Sequence, residues 1–167
     1  MRLSPSARWI LTTVYPGADL TVWSVPGRTN AHTFSGYSVE HAQFSPDGQW
    51  VVGRTPGGYR VWKLGTWEPG PIWPADLGDR AVGNIAFAQG GRLIALQDSD
   101  DSFRLLTFPE GRELVRLQPP ITLGIFGALM NEEGTRLWLL GFGNRIYEWN
   151  LTVLRKELAR FGLDWQD

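Results

Sequence analysis

A chain of 167 residues suits a single domain and is long enough to bury a sizeable core. Its net charge of −1 offers no basic field to nucleic acid or to an acidic membrane surface, so neither is expected as a partner. With no cysteine it has no disulfide framework, thiol nucleophile or zinc–thiolate site, which agrees with a reducing, cytoplasmic setting.

The opening stretch MRLSPSARWILTTV has no signal-peptide apolar region, and no apolar run approaches the roughly 18 residues of a membrane-spanning helix. Aromatic residues make up 13% of the chain, nine of them tryptophan, while glycine and proline together supply 31 residues. That composition predicts many short strands joined by turns and argues against a helical bundle.

In chain order, Ser4-Pro5-Ser6-Ala7 is the first turn signal, and Leu20 to Trp23 reads as a strand. The clearest unit follows, FSPDGQWVVGRTPGGYRVWKL from Phe44 to Leu64. Ser45-Pro46-Asp47-Gly48 reads as a type I turn, with proline presetting φ and glycine closing it. Trp50-Val51-Val52 favours a strand, Pro56-Gly57-Gly58 turns the chain, and Tyr59-Arg60-Val61-Trp62 alternates as the next strand. Ala88-Gln89-Gly90-Gly91 and Asn131-Glu132-Glu133-Gly134 repeat the first turn, so the starts lie 41, 43 and 43 residues apart. A second marker keeps step: Trp23, Trp62, Leu106 and Trp149 each end a strand, at spacings of 39, 44 and 43. A period near 43 that carries only strands points to the blades of a β-propeller.

The strand-ending segments share a face pattern. Leu20 and Val22, Tyr59 and Val61, and Phe103 and Leu105 alternate towards one face, and the marker residue points to the other. In the fourth copy Ile146 begins the pair and Glu148 breaks it. Apolar residues on both faces suit a strand held between two neighbouring sheets, so the marker tryptophans read as packing residues. After Trp149 the period changes. Leu151, Leu154, Leu158 and Phe161 fall on one face of a helix expected over about 151–161, with Asn150 or Thr152 as its cap and Gly162 as its stop. Arg155, Lys156 and Arg160 suit the negative end of that helix, which is expected to pack on the last sheet.

On these residues, FSPDGQWVV followed by YRVWKL resembles a repeat of the WD-repeat β-propeller family. About four degenerate copies run from near Leu3 to Leu151, and the ending resembles the C-termini of bacterial members, some of them fused to kinases; no kinase signature is present here. The resemblance implies an all-β propeller of four consecutive blades or part-blades, at about 3–34, 39–74, 82–118 and 123–150. It places outer strands near 29–34, 70–74 and 112–118 and inner strands near 39–44, 82–87 and 123–130. Family repeats also carry a Gly-His pair and a turn aspartate that tie the tryptophan into a buried hydrogen-bond network. Here the second copy has Gly36-Tyr37 in the Gly-His slot, and the turn aspartate is expected only as Asp100. No copy can complete that network, so apolar packing must hold the fold.

Candidate chemistry is thin. His32 and His41 stand apart from any serine–histidine–acid frame, and both read as structural or surface residues. The cluster Asp98-Ser99-Asp100-Asp101-Ser102 lacks the order of a calcium loop and reads as a solvated turn, with a weak cation site as the other reading. No enzyme activity, cofactor or metal is expected. The resemblance implies a non-enzymatic scaffold that binds a protein or peptide through loops sharing one face of the disc. Those loops hold Tyr37, Arg54, Asp76, Asp79, Arg80, Asp98, Asp100, Asp101 and Phe142, and mixed charge with a few aromatics suits a protein contact. The alternative is a carbohydrate- or small-molecule-binding propeller that uses exposed aromatics such as Trp67 and Trp73. Because Met1-Arg2-Leu3 supplies only the tail of an inner strand and no outer strand follows Trp149, an open set of blades is expected. Such a set self-associates or continues a longer propeller.

Overall fold

The computed structural model describes residues 1–13, 19–77, 83–119 and 124–165. The chain divides into two compact units, Met1–Asp76 and Leu77–Asp167. Among the described residues it is all-β with one α-helix.

The first unit holds two antiparallel sheets. Strands β1 (Arg2–Leu3), β2 (Trp9–Thr12), β3 (Leu20–Ser24) and β4 (Thr29–Phe34) lie side by side in chain order, and so do β5 (Ala42–Phe44), β6 (Trp50–Thr55), β7 (Gly58–Lys63) and β8 (Pro69–Pro74). The second unit repeats the plan with β9 (Ile85–Ala88), β10 (Leu93–Gln97), β11 (Phe103–Thr107) and β12 (Glu113–Leu117). Its last sheet has three strands, β13 (Ile125–Met130), β14 (Arg136–Gly141) and β15 (Arg145–Asn150), and helix α1 (Leu151–Ala159) follows at once. The tail expected at the start is the two-residue β1, and among the described residues the last sheet has no fourth strand, as the sequence implies.

The sequence repeat survives as a repeat of individual bonds. In the first turn of each sheet, Ser4 Oγ accepts from Trp9 N–H at 3.0 Å and Ser45 Oγ from Trp50 N–H at 2.9 Å. Asn131 Oδ1 does the same for Arg136 N–H at 2.7 Å. The fourth turn residue is left-handed each time, with φ of 54° at Ala7, 69° at Gly48 and 68° at Gly134, where glycine is the residue without steric penalty. Ala88 has no polar side chain to repeat this bond, and the third copy turns instead through a short 3₁₀ segment, Gln89–Gly91.

The second marker also keeps its place. Trp23, Trp62, Leu106 and Trp149 pair with Ile10, Val51, Ile94 and Leu137, the second residue of the neighbouring strand in every sheet. In each four-stranded sheet the ladder to the last strand slips beside the marker, between Val22 and Trp23, between Arg60 and Trp62, and between Leu105 and Leu106. A bulge at that point bends the outer strand and increases the local twist.

Each unit has its own apolar core. In the first, Leu11, Leu20, Val22 and Phe34 pack with Val39, Phe44, Val51 and Trp62. In the second, Ala95, Phe103, Leu105 and Leu117 pack with Ile125, Leu137, Leu139 and Leu151. Gly53 is small for a steric reason: a Cβ there would meet Val39 Cγ1 at 2.8 Å and the Trp62 ring at 3.0 Å. Gly53→Ala should therefore cost about 1–3 kcal/mol through overpacking. A urea midpoint unchanged from the parent protein would contradict that packing.

Three expectations need correction. Trp23 is not sandwiched like Trp62 but is 40% exposed, and its indole N–H donates to Thr12 Oγ1 at 2.9 Å. Its face carries Thr12, Thr21 and Thr33 and is polar, with Thr21 and Thr33 sharing a hydroxyl hydrogen bond of 3.4 Å. The expected inner strand over 39–44 narrows to Ala42–Phe44. Phe161 is 76% exposed, because the helix ends at Ala159 and Gly162 takes φ 70°, so only Leu151, Leu154 and Leu158 keep the inward face. Asn150 is the cap, its side chain accepting from Val153 N–H at 3.0 Å.

Candidate interaction surface

A sheet of four strands in chain order puts its second connection at the same end as the links that enter and leave it. The side chains there fasten link to connection in every sheet. Asp19, one residue before β3, accepts from Ser35 Oγ at 2.9 Å and from Gly36 N–H at 3.1 Å. Arg54 at the end of β6 forms an ion pair with Glu40 and donates its N–H to His41 O at 2.7 Å. Gln97 at the end of β10 accepts from Asn84 Nδ2 at 2.8 Å and donates its N–H to Asn84 O at 3.0 Å. In the last sheet the Phe142 ring lies over Gly124, where a Cβ would come within 2.7 Å of it.

The residues expected on this surface have different surroundings. Tyr37 is half-buried, edge-on to Trp62 at 5.4 Å, with the Arg60 guanidinium over its ring at 4.9 Å. It fills the slot where the resembled repeats have histidine, but by packing, and Trp62 Nε1 finds no hydrogen-bond acceptor among the described residues. The Arg54 side chain is only 16% exposed and is held by Glu40. Asp98 is 6% exposed; its oxygens form ion pairs with Arg104 at 2.7 Å and with Arg116 at 2.6 Å, while Arg104 also lies 3.6 Å from Glu113. With both oxygens committed to guanidinium groups, Asp98 is an internal tie between β10, β11 and β12, and the weak cation site loses its first ligand. Among the described residues no group of three histidine or carboxylate side chains is arranged to hold a metal ion.

Asp100 and Asp101 are half-buried in the β10–β11 turn, where Ser99 Oγ accepts from Asp101 N–H at 3.3 Å. Asp76 is exposed at the end of the first unit. Asp79 and Arg80 lie outside the described residues. Phe142 is 71% exposed and tilts against Phe126, itself 48% exposed, with ring centroids 5.6 Å apart.

Phe126, Asp19 and Arg60 escaped the sequence reading. Phe126 sits in an expected inner strand, where alternation alone does not tell a buried face from an open one. Asp19 does carry a signal, an aspartate directly before a strand.

The exposed aromatics expected for sugar binding are not free to stack on a ligand. Trp73 is 6% exposed. Trp67 is half-buried, stacked on His32 at 5.1 Å with 2° between planes and edge-on to Trp9 at 5.7 Å. The turn that holds it places Trp67 at φ 63°, so its ring closes the core of the first unit.

His41 has a resolved pKa shift. Burial holds it below its ordinary value of 6.5, and the Arg2 guanidinium pushes in the same direction. The folded chain thus keeps His41 neutral while the unfolded chain binds a proton near the ordinary value. Stability from this group is present above about pH 6.5 and is lost as the pH falls towards the folded pKa. Urea midpoints followed from pH 7 to about pH 5 should fall less steeply in His41→Gln; equal slopes would remove the histidine from the account.

No family model matches this chain, and no curated protein matches it. Among the described residues, no helix is long and apolar enough to cross a membrane.

Proposed function

We infer that the four sheets are successive blades of a WD-repeat-type propeller and that the protein is a non-enzymatic scaffold. It binds a protein or peptide through the loop ends where the links between sheets meet the second connection. The repeated turn bonds, marker pairing and bulges support the propeller reading. The observation that carries the binding reading is the exposed Phe126–Phe142 pair, two large aromatic rings at a loop end. Aromatics in that position are the usual anchors of protein contacts.

The test is affinity capture with the intact protein and with Phe142→Asp, both checked for the same melting temperature. A partner retained by the parent and lost from the variant supports the reading; equal capture by both sinks it.

A second mode of association is favoured by the strand count. Among the described residues three sheets have a fourth strand and the last does not, so β15, which carries the exposed Ile146, presents an open edge. Open edges and apolar sheet faces associate unless covered. We place there either a second copy or a further blade of a longer propeller. A monomer by light scattering at micromolar concentration, with Ile146→Lys behaving identically, speaks against the first of these.

A further inference from the structure

The second unit contains a cleft that the loop-end reading does not use. It lies at the opposite end of the two sheets, among the turns that join β9 to β10, β11 to β12 and β13 to β14, and its volume is about 1000 Å³. One wall is the 3₁₀ segment knitted to the β13–β14 turn. Gln89 N–H donates to Glu132 O at 2.6 Å, Gly90 N–H to Glu132 Oε1 at 2.8 Å, and Gln89 Nε2 to Glu133 O at 3.3 Å. The other wall is the β11–β12 turn, closed by Gly111 N–H on Thr107 O at 2.9 Å and fixed to the first by Phe108 N–H on Arg92 O at 2.8 Å.

The floor is apolar, formed by Leu93, Phe108 and the half-buried Leu114, with Phe108 braced edge-on by Phe87 at 5.1 Å. The rim is acidic on both sides: Glu110 stands on one lip, Glu132 and Glu133 on the other. Arg92 is the one cation in the lining, and its Nε is turned to Gln89 O at 3.3 Å. Three carboxylates against one guanidinium leave the rim negative.

We propose that this cleft binds a short basic peptide segment, an apolar side chain flanked on both sides by lysine or arginine. The apolar side chain rests on Phe108 and Leu114, and the flanking cations reach Glu110 on one lip and Glu132 and Glu133 on the other. Acids on both lips favour a cation on each side of the apolar residue, and repel an anionic ligand of the same shape. The cleft is at the upper end of the size of small-molecule pockets, roughly 300–1,000 Å³, so it accommodates several residues in an extended run. Two of the glutamates are already oriented: Glu132 by Gly90, and Glu133 by Asn131 Nδ2, which donates to it at 2.6 Å. Little ordering is left for binding to impose on them.

The probe is a fluorescein-labelled Gly-Lys-Leu-Phe-Lys-Gly peptide, with its twin in which both lysines are glutamates, followed by fluorescence anisotropy on the full chain. The lysine peptide should bind at least about tenfold more tightly than the twin. Glu110→Gln combined with Glu133→Gln, at an unchanged melting temperature, should weaken it by about fivefold, and so should a rise from about 50 to 300 mM salt. Phe142→Asp should leave it unchanged, which separates this cleft from the loop-end surface. No binding, equal binding of the two peptides, or an unaltered double variant overturns the proposal.

Discussion

Replacing Trp62 by alanine should destabilise the first unit by about 3–5 kcal/mol. The side chain is 1% exposed, and it joins the two sheets of its unit through Phe34, at 4.7 Å, and Tyr37. Removing it also leaves the space that Gly53 keeps open, because no side chain at Gly53 can fill the gap. Trp62→Phe is the informative companion. It retains most of the apolar contact and eliminates an indole N–H that has no acceptor among the described residues. An unmade bond of this kind costs about 1–3 kcal/mol in a buried site, so phenylalanine should recover well over half of the alanine loss. If urea unfolding ranks phenylalanine level with alanine, the indole nitrogen is paired after all.

The second large effect is expected at Asp98. Asp98→Ala would leave Arg104, 8% exposed, without its nearest carboxylate, and breaking a buried pair from one side costs about 3–5 kcal/mol. Arg116 is half-exposed and can return to water, so the penalty falls mainly on Arg104. Asp98→Ala combined with Arg104→Met should be more stable than Asp98→Ala alone, since a buried charge that has lost its nearest carboxylate has gone. A double variant no better than the single one would show that the carboxylate, not the guanidinium, is what the sheet needs. An alanine at Asp98 therefore reports on folding before it reports on any partner, and Phe142 is the cleaner probe of the loop ends.

The repeat was legible because its first marker, the turn, is a backbone requirement. A side-chain acceptor at Ser4, Ser45 and Asn131 and a left-handed residue three positions later are chemical needs of the turn, and the chain states them openly. Strand limits at the sheet ends were less legible, since residues 39–41 have strand-like composition but are drawn into bonds with Arg54. The surface was the least legible part. Asp98, Arg54 and Tyr37 have the composition of a contact surface, yet each is held by a residue distant in sequence or on another strand. Exposure depends on such partners, which spacing does not encode. The same holds for Trp67, whose turn gave no hint that His32 would stack beneath it.

The strand order has a kinetic consequence. Among the described residues every ladder joins strands that are neighbours in the sequence, so each pairing closes only a short loop before its hydrogen bonds begin to form. The entropy lost in closing a loop rises with its length, and non-local pairing is what makes most all-β chains slow to fold. Here a sheet can zip from any of its hairpins without waiting for a distant segment. Among the described residues no ladder joins one sheet to the next. Cutting the chain within 35–41 and rejoining it elsewhere would leave every strand pair intact, so the order in which the sheets are synthesised is separable from the way each one is built.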